Sequence, residues 1–492
     1  MNNLLVLLMA LPVLVGIVLI FLRRYVRLQR WISFSVMIIN FIISIILLNQ
    51  IQEQGPLRLD FGGWEPPFGI MFVADSFSVI LVLTTSIVTV VCLLYAFSSI
   101  GKSYENMFFY SFVNFLVAGV NGSFLTGDLF NLYVCFEVML LASYVLITLG
   151  GKKVQLRESI KYVAINVVSS WIFLVSIAYL YGAMGTLNFA HLSERIAESG
   201  QTPLLTVISV IFLTVFSLKA GLFLYYWLPG SYSAPPTAVA ALFGALLTKV
   251  GIYAMFRVFT LLFYHEPAIT HTIIGFLAGV TLVGGSIGAI AYKDIRQIVS
   301  YNVVIAVGFI LVGLAVMTPE AIEGSIYYLM HDMIVKALLF LLAGTMISLT
   351  GYVRIDHMSG LIKNYPLLGW MFFIVMLSLA GVPPLSGFIG KLLIGQGAVE
   401  VESYLLLTLV FISSIFVLYS LLRVFLTSFW GETLISEDDE EPMKKGWLIP
   451  CVLLTVVTIG LGLGAETVAV YVADAANTLL NPDIYIDAVF ND

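Results

Sequence analysis

Fourteen stretches of this chain are apolar for roughly twenty residues each. They lie near 3–22, 31–49, 70–98, 106–122, 126–149, 162–183, 204–228, 236–263, 270–292, 299–317, 324–350, 367–396, 403–430 and 447–473. About 20 apolar residues in a helix cross a ~30 Å hydrocarbon layer, so each stretch is long enough to span a membrane. With 60% of 492 residues apolar and 11% charged, no water-soluble fold could cover the apolar surface. The expected fold class is an all-α polytopic membrane protein of about fourteen transmembrane helices. The N-terminal run MNNLLVLLMALPVLVGIVLIFLRR lacks a basic n-region and a small-residue cleavage site, and reads as a retained first helix. The polar link from Gln50 to Gly69, with Gly62-Gly63 and Pro66-Pro67, reads as a small hairpin at the membrane surface.

Basic residues sort by side. If the N-terminus is outside, the inner loops hold fifteen of the 23 Lys and Arg residues, the outer loops two (Arg58 and Arg195), and the spans six. That imbalance sets the orientation, with both termini outside. The net charge of −6 gives no reason to expect a nucleic-acid partner; membrane lipid is the expected surrounding. Cys92, Cys135 and Cys451 are scattered through apolar runs, which suggests packing rather than a metal cluster or disulfide framework. No Walker loop, dinucleotide fingerprint or CxxC is present, so no cofactor or metal is expected. Asp75 and Asp128 begin spans, where acids suit helix N-termini. The run SEDDEE from Ser436 to Glu441 reads as a solvated loop. Trp and Tyr near span ends read as interfacial belts.

Within this frame the segment SLKAGLFLYYWLPGSYSAPPTAVAALFGALLTK, Ser217 to Lys249, is anomalous. A lysine near the bilayer centre costs about 2.5–3.5 kcal/mol by insertion scales, and this segment has two. Its Gly and Pro residues interrupt helices, which lipid tolerates only where the backbone is buried in protein or lines a wet cavity. Charge beside a broken helix points to an ion path. Six cations lie within spans: Lys219, Lys249, Arg257, Lys336, Lys391 and Arg423. Arg257 and Arg423 are near span ends, where snorkelling to the headgroups is the simpler reading. The four lysines are deeper and are either buried structural pairs or a proton relay. Lysine suits a relay because it can release its proton when desolvated, whereas arginine cannot.

Glu137 is the one carboxylate at the middle of a span, a candidate gate whose protonation would depend on a nearby lysine. In YYLMHDMIVKALLFLLAG, Asp332 and Lys336 are spaced i, i+4 and suit an internal pair. His331 is either a satisfied core histidine or a relay member. In LAGVPPLSGFIGKLL, Pro383, Pro384 and Gly387 break the twelfth span ahead of Lys391. Shifting the fourth to eighth spans by about 172 residues lands on the ninth to thirteenth and places Lys219 on Lys391. The expected organisation is an N-terminal unit (1–105), two inverted five-helix repeats (106–263 and 270–430), and a final helix with tail (447–492).

The motifs NLYVCFEVMLLASYVLI, SLKAGLFLYYWLPGSYSAPPTAVAALFGALLTKVGIY, DMIVKALLFLLAG and LAGVPPLSGFIGK resemble the antiporter-like, proton-translocating subunits of respiratory complex I and of Mrp-type cation/proton antiporters. Similarity is greatest to the D-type members of the Mrp branch. The resemblance implies a proton path through Glu137, Lys219, Lys249, Lys336 and Lys391, with His331 and Asp332 as further relay candidates. It also implies a helix break beside Lys219, at Gly221, with Pro229 marking the inner end. Two positions depart from the family pattern: Tyr225 and Asp332 stand where many relatives carry histidine. The implied activity is exchange of H+ for Na+, or for Li+ or K+, in a bacterial cell membrane, with no ATP. The implied partners are Mrp subunits A, B, C, E, F and G. Two other readings stand at this point: a redox-driven pump subunit of a complex I or hydrogenase assembly, and a structural scaffold with static ion pairs.

Overall fold

A computed structural model describes residues 3–200, 202–434 and 443–490; the acidic run near 436–441 lies outside them. Helices α1 (Leu4–Phe21), α2 (Val26–Gln54) and α3 (Ser76–Ser99) are followed by α4 (Phe109–Leu125), α5 (Leu129–Ile147) and α6 (Lys153–Met184). A surface helix α7 (Phe189–Ser199) precedes α8 (Pro203–Ala220), the short α9 (Leu228–Ser233) and α10 (Thr237–Leu261). Then come α11 (Pro267–Ala291), α12 (Ile295–Val316), α13 (Pro319–Thr350), α14 (Pro366–Ala380), α15 (Ser386–Glu400) and α16 (Tyr404–Phe429). The chain closes with α17 (Lys445–Leu463), α18 (Ala465–Leu480) and α19 (Pro482–Phe490).

Among the described residues, twelve helices are long and apolar enough to cross a membrane, and α4 and α14 are shorter apolar helices. Together they account for the fourteen expected crossings. Several boundaries differ from those expected, three of them for clear local reasons. The third span starts at Ser76 because Met71–Ala74 pairs antiparallel with Leu57–Asp60, the surface hairpin expected from the Gly and Pro pairs. The seventh stops at Ala220, where Gly221 takes φ +77° and its N–H and that of Leu222 both return to the Ser217 carbonyl. That is a left-handed cap, which glycine adopts without a Cβ penalty. The last span ends at Leu463, after which α18 resumes as a separate helix.

Burial ranks the helices. The apolar window of α10 is 100% buried, that of α12 89% and that of α13 78%, whereas those of α1 and α16 are 28% buried. The helices carrying Lys249 and Lys336 therefore sit at or near the protein's centre, behind a shell that faces lipid.

Helix ends are held by side chains. Asp75 accepts from the Ser78 N–H and Asp128 from the Asn131 N–H, the N-cap roles expected of both. Arg257 does not snorkel. It is 2% exposed, pairs with Asp75 at 2.6 Å, and lies 4.9 Å from the Tyr485 ring centre on α19. Arg423 donates to the Ile290 and Tyr292 carbonyls at the end of α11 rather than reaching past them. Cys92, Cys135 and Cys451 are free and buried, as packing residues are.

Removing Arg257 alone strands a buried carboxylate, so Arg257→Met is expected to cost about 3–5 kcal/mol. Arg257→Met with Asp75→Asn is expected to recover most of that loss. Thermal melts of the detergent-solubilised protein check both.

Candidate functional site

Three of the four deep lysines and Asp332 are almost fully buried: Lys219 is 4% exposed, Lys249 0%, Lys336 1% and Asp332 0%. Glu137 and Lys391 are partly buried. Such charges persist in an apolar interior only when partnered, and the partners divide them into three linked groups.

The first group joins α5, α6 and α8. Ser170 of α6 donates its hydroxyl proton to Glu137 Oε1 and accepts from Lys219 Nζ at 3.1 Å. Glu137 and Lys219 thus meet through a hydroxyl rather than directly. The ammonium also lies 4.9 Å from the Phe136 ring centre, where the aromatic face offers negative charge. Lys219 is in the last turn of α8, so it also faces the carbonyl end of a half-helix, where a cation is favoured.

The second group joins α10 to α13. Residues Phe243–Leu247 of α10 form a π-turn. Such a turn leaves a carbonyl without its usual helical donor, and Gly244 O accepts from Lys249 Nζ at 2.7 Å. The same ammonium is 2.7 Å from Asp332 Oδ2, and Lys336 Nζ is 3.4 Å from Asp332 Oδ1. The expected i, i+4 pair is present, but Asp332 is shared with a second helix. With both lysines protonated the trio carries one surplus positive charge; loss of one proton makes it neutral.

The third group surrounds the break in the twelfth crossing. Helix α14 ends at Gly381 (φ +84°), and Pro383 and Pro384 lie in the link to α15. Gly387 is not part of the break. It lies in the first turn of α15, where a Cβ would collide with the Ser378 carbonyl and come within 3.0 Å of His331 Nε2. His331 Nδ1 is 2.8 Å from Ser386 Oγ, and His331 is 0% exposed. Lys391 Nζ donates to the Leu379 and Ala380 carbonyls at 2.8 and 3.1 Å, and to Ser414 Oγ at 2.9 Å. It therefore caps α14 electrostatically across the gap. A cavity of about 480 Å³, lined by Lys391, Ser414, Gly381, Gln396 and Phe411 among others, begins at this lysine.

The groups abut. Gly251 of α10 packs on Ala220 so closely that a Cβ there would sit 2.6 Å from the Ala220 nitrogen. The break beside Lys219 therefore rests directly on the helix that carries Lys249. Asp332 and His331 are chain neighbours, which joins the second group to the third. The two broken helices are not equivalent at their lysines: Lys219 precedes its break, while Lys391 follows one. Ser170, Ser386 and Ser414 were not singled out by sequence, since serine is common in membrane helices. A signal was available for Ser170 in its position midway along a span, on the helix after Glu137.

Residues 126–417 match the family described as NADH:quinone oxidoreductase/Mrp antiporter, TM. The chain is 51% identical over 493 residues to the D component of the Na(+)/H(+) antiporter of Bacillus subtilis, covering 100% of each. It is 48% identical to the protein of the same name from Alkalihalophilus pseudofirmus, again over 100% of each. Its fold superposes on a chain in the structure of the Mrp complex from Dietzia sp. with a TM-score of 0.93 at 29% identity, covering 100% of this chain and 99% of that one. A match over more than half the chain, with relatives this similar end to end, shows that the chain belongs to the NADH:quinone oxidoreductase/Mrp antiporter family, alongside relatives named as the D component of Na(+)/H(+) antiporters.

Proposed function

We propose that this multi-pass membrane protein is a subunit of an Mrp-type complex that exchanges Na+ for H+, and that it carries the protons. Glu137, Ser170 and Lys219 form one relay station, Lys249, Asp332 and Lys336 the central one, and His331, Ser386 and Lys391 the last. The observation that carries this reading is the fully buried trio in which one carboxylate faces two ammonium groups on two helices. A static scaffold would need one cation per carboxylate, whereas a surplus charge that one proton's loss removes suits a relay. Shifting Asp332 between Lys249 and Lys336 moves charge across the centre without a cofactor.

The orientation with both termini outside, the inverted pairing of 106–263 with 270–430, and assembly with Mrp subunits A, B, C, E, F and G belong to the same proposal. Na+ is the proposed cargo, with Li+ and K+ the alternatives to be compared.

The test is vesicles from cells lacking other antiporters and carrying the whole complex. Added Na+ should collapse a preformed pH gradient with no reductant present. A gradient built by NADH or another reductant, and unaffected by Na+, would instead assign the chain to a redox-driven pump.

A further inference from the structure

We propose that a groove between α11, the end of α12 and the start of α16 binds one diacyl phospholipid whose headgroup carries an ammonium, and that this lipid braces the break beside Lys219. A cavity of about 850 Å³ lies there, larger than the one at Lys391 and within the ~300–1,000 Å³ typical of ligand sites. It opens past Phe276 and Leu405, which are 67% and 74% exposed. Its lining is graded. His271, Thr272 and Ser403 stand at the end where α11 and α16 begin, and Gly279, Val280 and Leu409 line the apolar trough below. A polar head above an apolar trough matches a lipid rather than a water-soluble ligand.

Length decides between a lipid and a neighbouring protein. From Thr272 to Gly284, α11 rises about 18 Å at 1.5 Å per residue. That is about one leaflet of a ~30 Å hydrocarbon layer, and too short to seat a second spanning helix. The trough is closed at depth by the link that follows the break after Lys219. Phe223 and Tyr225 of that link line its foot, and a Cβ on Gly284 of α11 would overlap Tyr225 Oη.

Charge selects the headgroup. No Lys or Arg lines the cavity. Glu266 immediately precedes Pro267, and the exposed Glu402 precedes Ser403, so a carboxylate stands at each helix start that flanks the polar end. Glu266 accepts one neutral hydroxyl, from Thr206 at 2.9 Å, which leaves its charge in place. The Ser403 hydroxyl makes no cap bond to α16, so it and the exposed Thr272 hydroxyl are donors for a phosphate. An ammonium on the same headgroup complements the carboxylates, whereas an anionic lipid without one would face them uncompensated.

Phe223 ties the groove to the break. It lies four residues past Lys219 at φ +60°, a backbone conformation that residues with a Cβ rarely adopt. Its N–H donates to Thr281 Oγ1 of α11 at 2.7 Å, and its ring is 46% exposed. An acyl chain in the trough covers that ring and presses the link onto α11.

The test is lipid analysis of the assembled complex, purified from membranes that hold both phosphatidylethanolamine and phosphatidylglycerol. After exhaustive detergent washing, phosphatidylethanolamine should remain at about one molecule per copy of this chain. Val280→Trp, which fills the trough, should lower that retention at least fivefold, and Val175→Trp on the exposed face of α6 should not. Glu266→Gln with Glu402→Gln should remove the preference for phosphatidylethanolamine over phosphatidylglycerol. In the delipidated complex, added phosphatidylethanolamine should slow hydrogen exchange across Leu222–Tyr226 several-fold, and Val280→Trp should abolish the slowing. Equal retention in the two Trp variants, or equal retention of both lipids by the wild type, would overturn the lipid site. So would a photo-crosslinker placed at Leu405 that captures a neighbouring subunit instead of lipid. Unchanged exchange on adding the lipid would overturn the brace. None of these readouts depends on transport, so failure of the antiport reading would appear separately, as full flux in Lys219→Ala.

Discussion

Asp332→Asn is expected to stop proton transport almost completely. The substitution keeps the side chain's shape but leaves Lys249 and Lys336 facing each other with no anion, in a site that is 0–1% exposed. Breaking a buried ion pair by removing one partner costs about 3–5 kcal/mol. If that cost falls on the transfer step, each ~1.4 kcal/mol is a factor of ten, so flux should fall by between roughly 10²-fold and several thousand-fold. If it falls on folding, the subunit should be depleted from the complex. Flux per assembled complex, read from a pH-sensitive dye and normalised by immunoblot, separates the two. Asp332→Glu should retain part of the flux, since it restores the charge at a longer reach. Wild-type flux in Asp332→Asn would mean that the trio is a packing device.

Glu137→Ala has the second largest expected effect. It removes the acceptor of the Ser170 hydroxyl proton and leaves Lys219 with a neutral hydroxyl and an aromatic face. Flux should fall by about 10²-fold, by the same conversion of a lost charge partner. Glu137 is only partly buried and its helix packs largely on apolar contacts, so the complex should still assemble. Ser170→Ala is the finer probe. It keeps both charges but deletes the hydroxyl between them, and a loss of about tenfold is expected for one charge-assisted hydrogen bond of roughly 1.5 kcal/mol. If Ser170→Ala were as damaging as Glu137→Ala, the hydroxyl would be doing more than bridging.

These residues also show how far a sequence can be read. The fourteen crossings follow from hydropathy and length, because lipid forces every spanning backbone to satisfy itself internally. The break at Gly221 came from the resemblance; the residues alone pointed only to an interrupted helix within Ser217–Lys249, where glycine and proline accompany two buried lysines. Pairing was less legible. Asp332 and Lys336 share one helix, so their spacing revealed the contact, but Lys249 reaches the same carboxylate from another helix and only packing could show it. The Ser170 bridge has the same origin. Arg257 looked like a snorkelling residue because it is two turns from a span end; its partner Asp75 begins a different helix 182 positions earlier. Gly387 looked like a breaker, yet it is a contact glycine inside a helix, since the Pro383-Pro384 link had already ended the preceding one.

The alignment of Lys219 on Lys391 shows the limit of a repeat read from two features. Both lysines serve the carbonyl end of a half-helix, α8 for one and α14 for the other, which is the physical reason for their similarity. One reaches its helix end from within and the other from across the gap. The two lysine sites are alike in electrostatics but not in construction, and the cavity of about 480 Å³ begins at the second.

The most direct test of proton carriage by this chain is Na+-driven proton flux in sealed vesicles bearing the assembled complex, wild type against Lys219→Ala. The gradient should collapse in the wild type and persist in Lys219→Ala, with equal amounts of complex in both membranes. Near-wild-type collapse in Lys219→Ala would contradict a relay through this lysine.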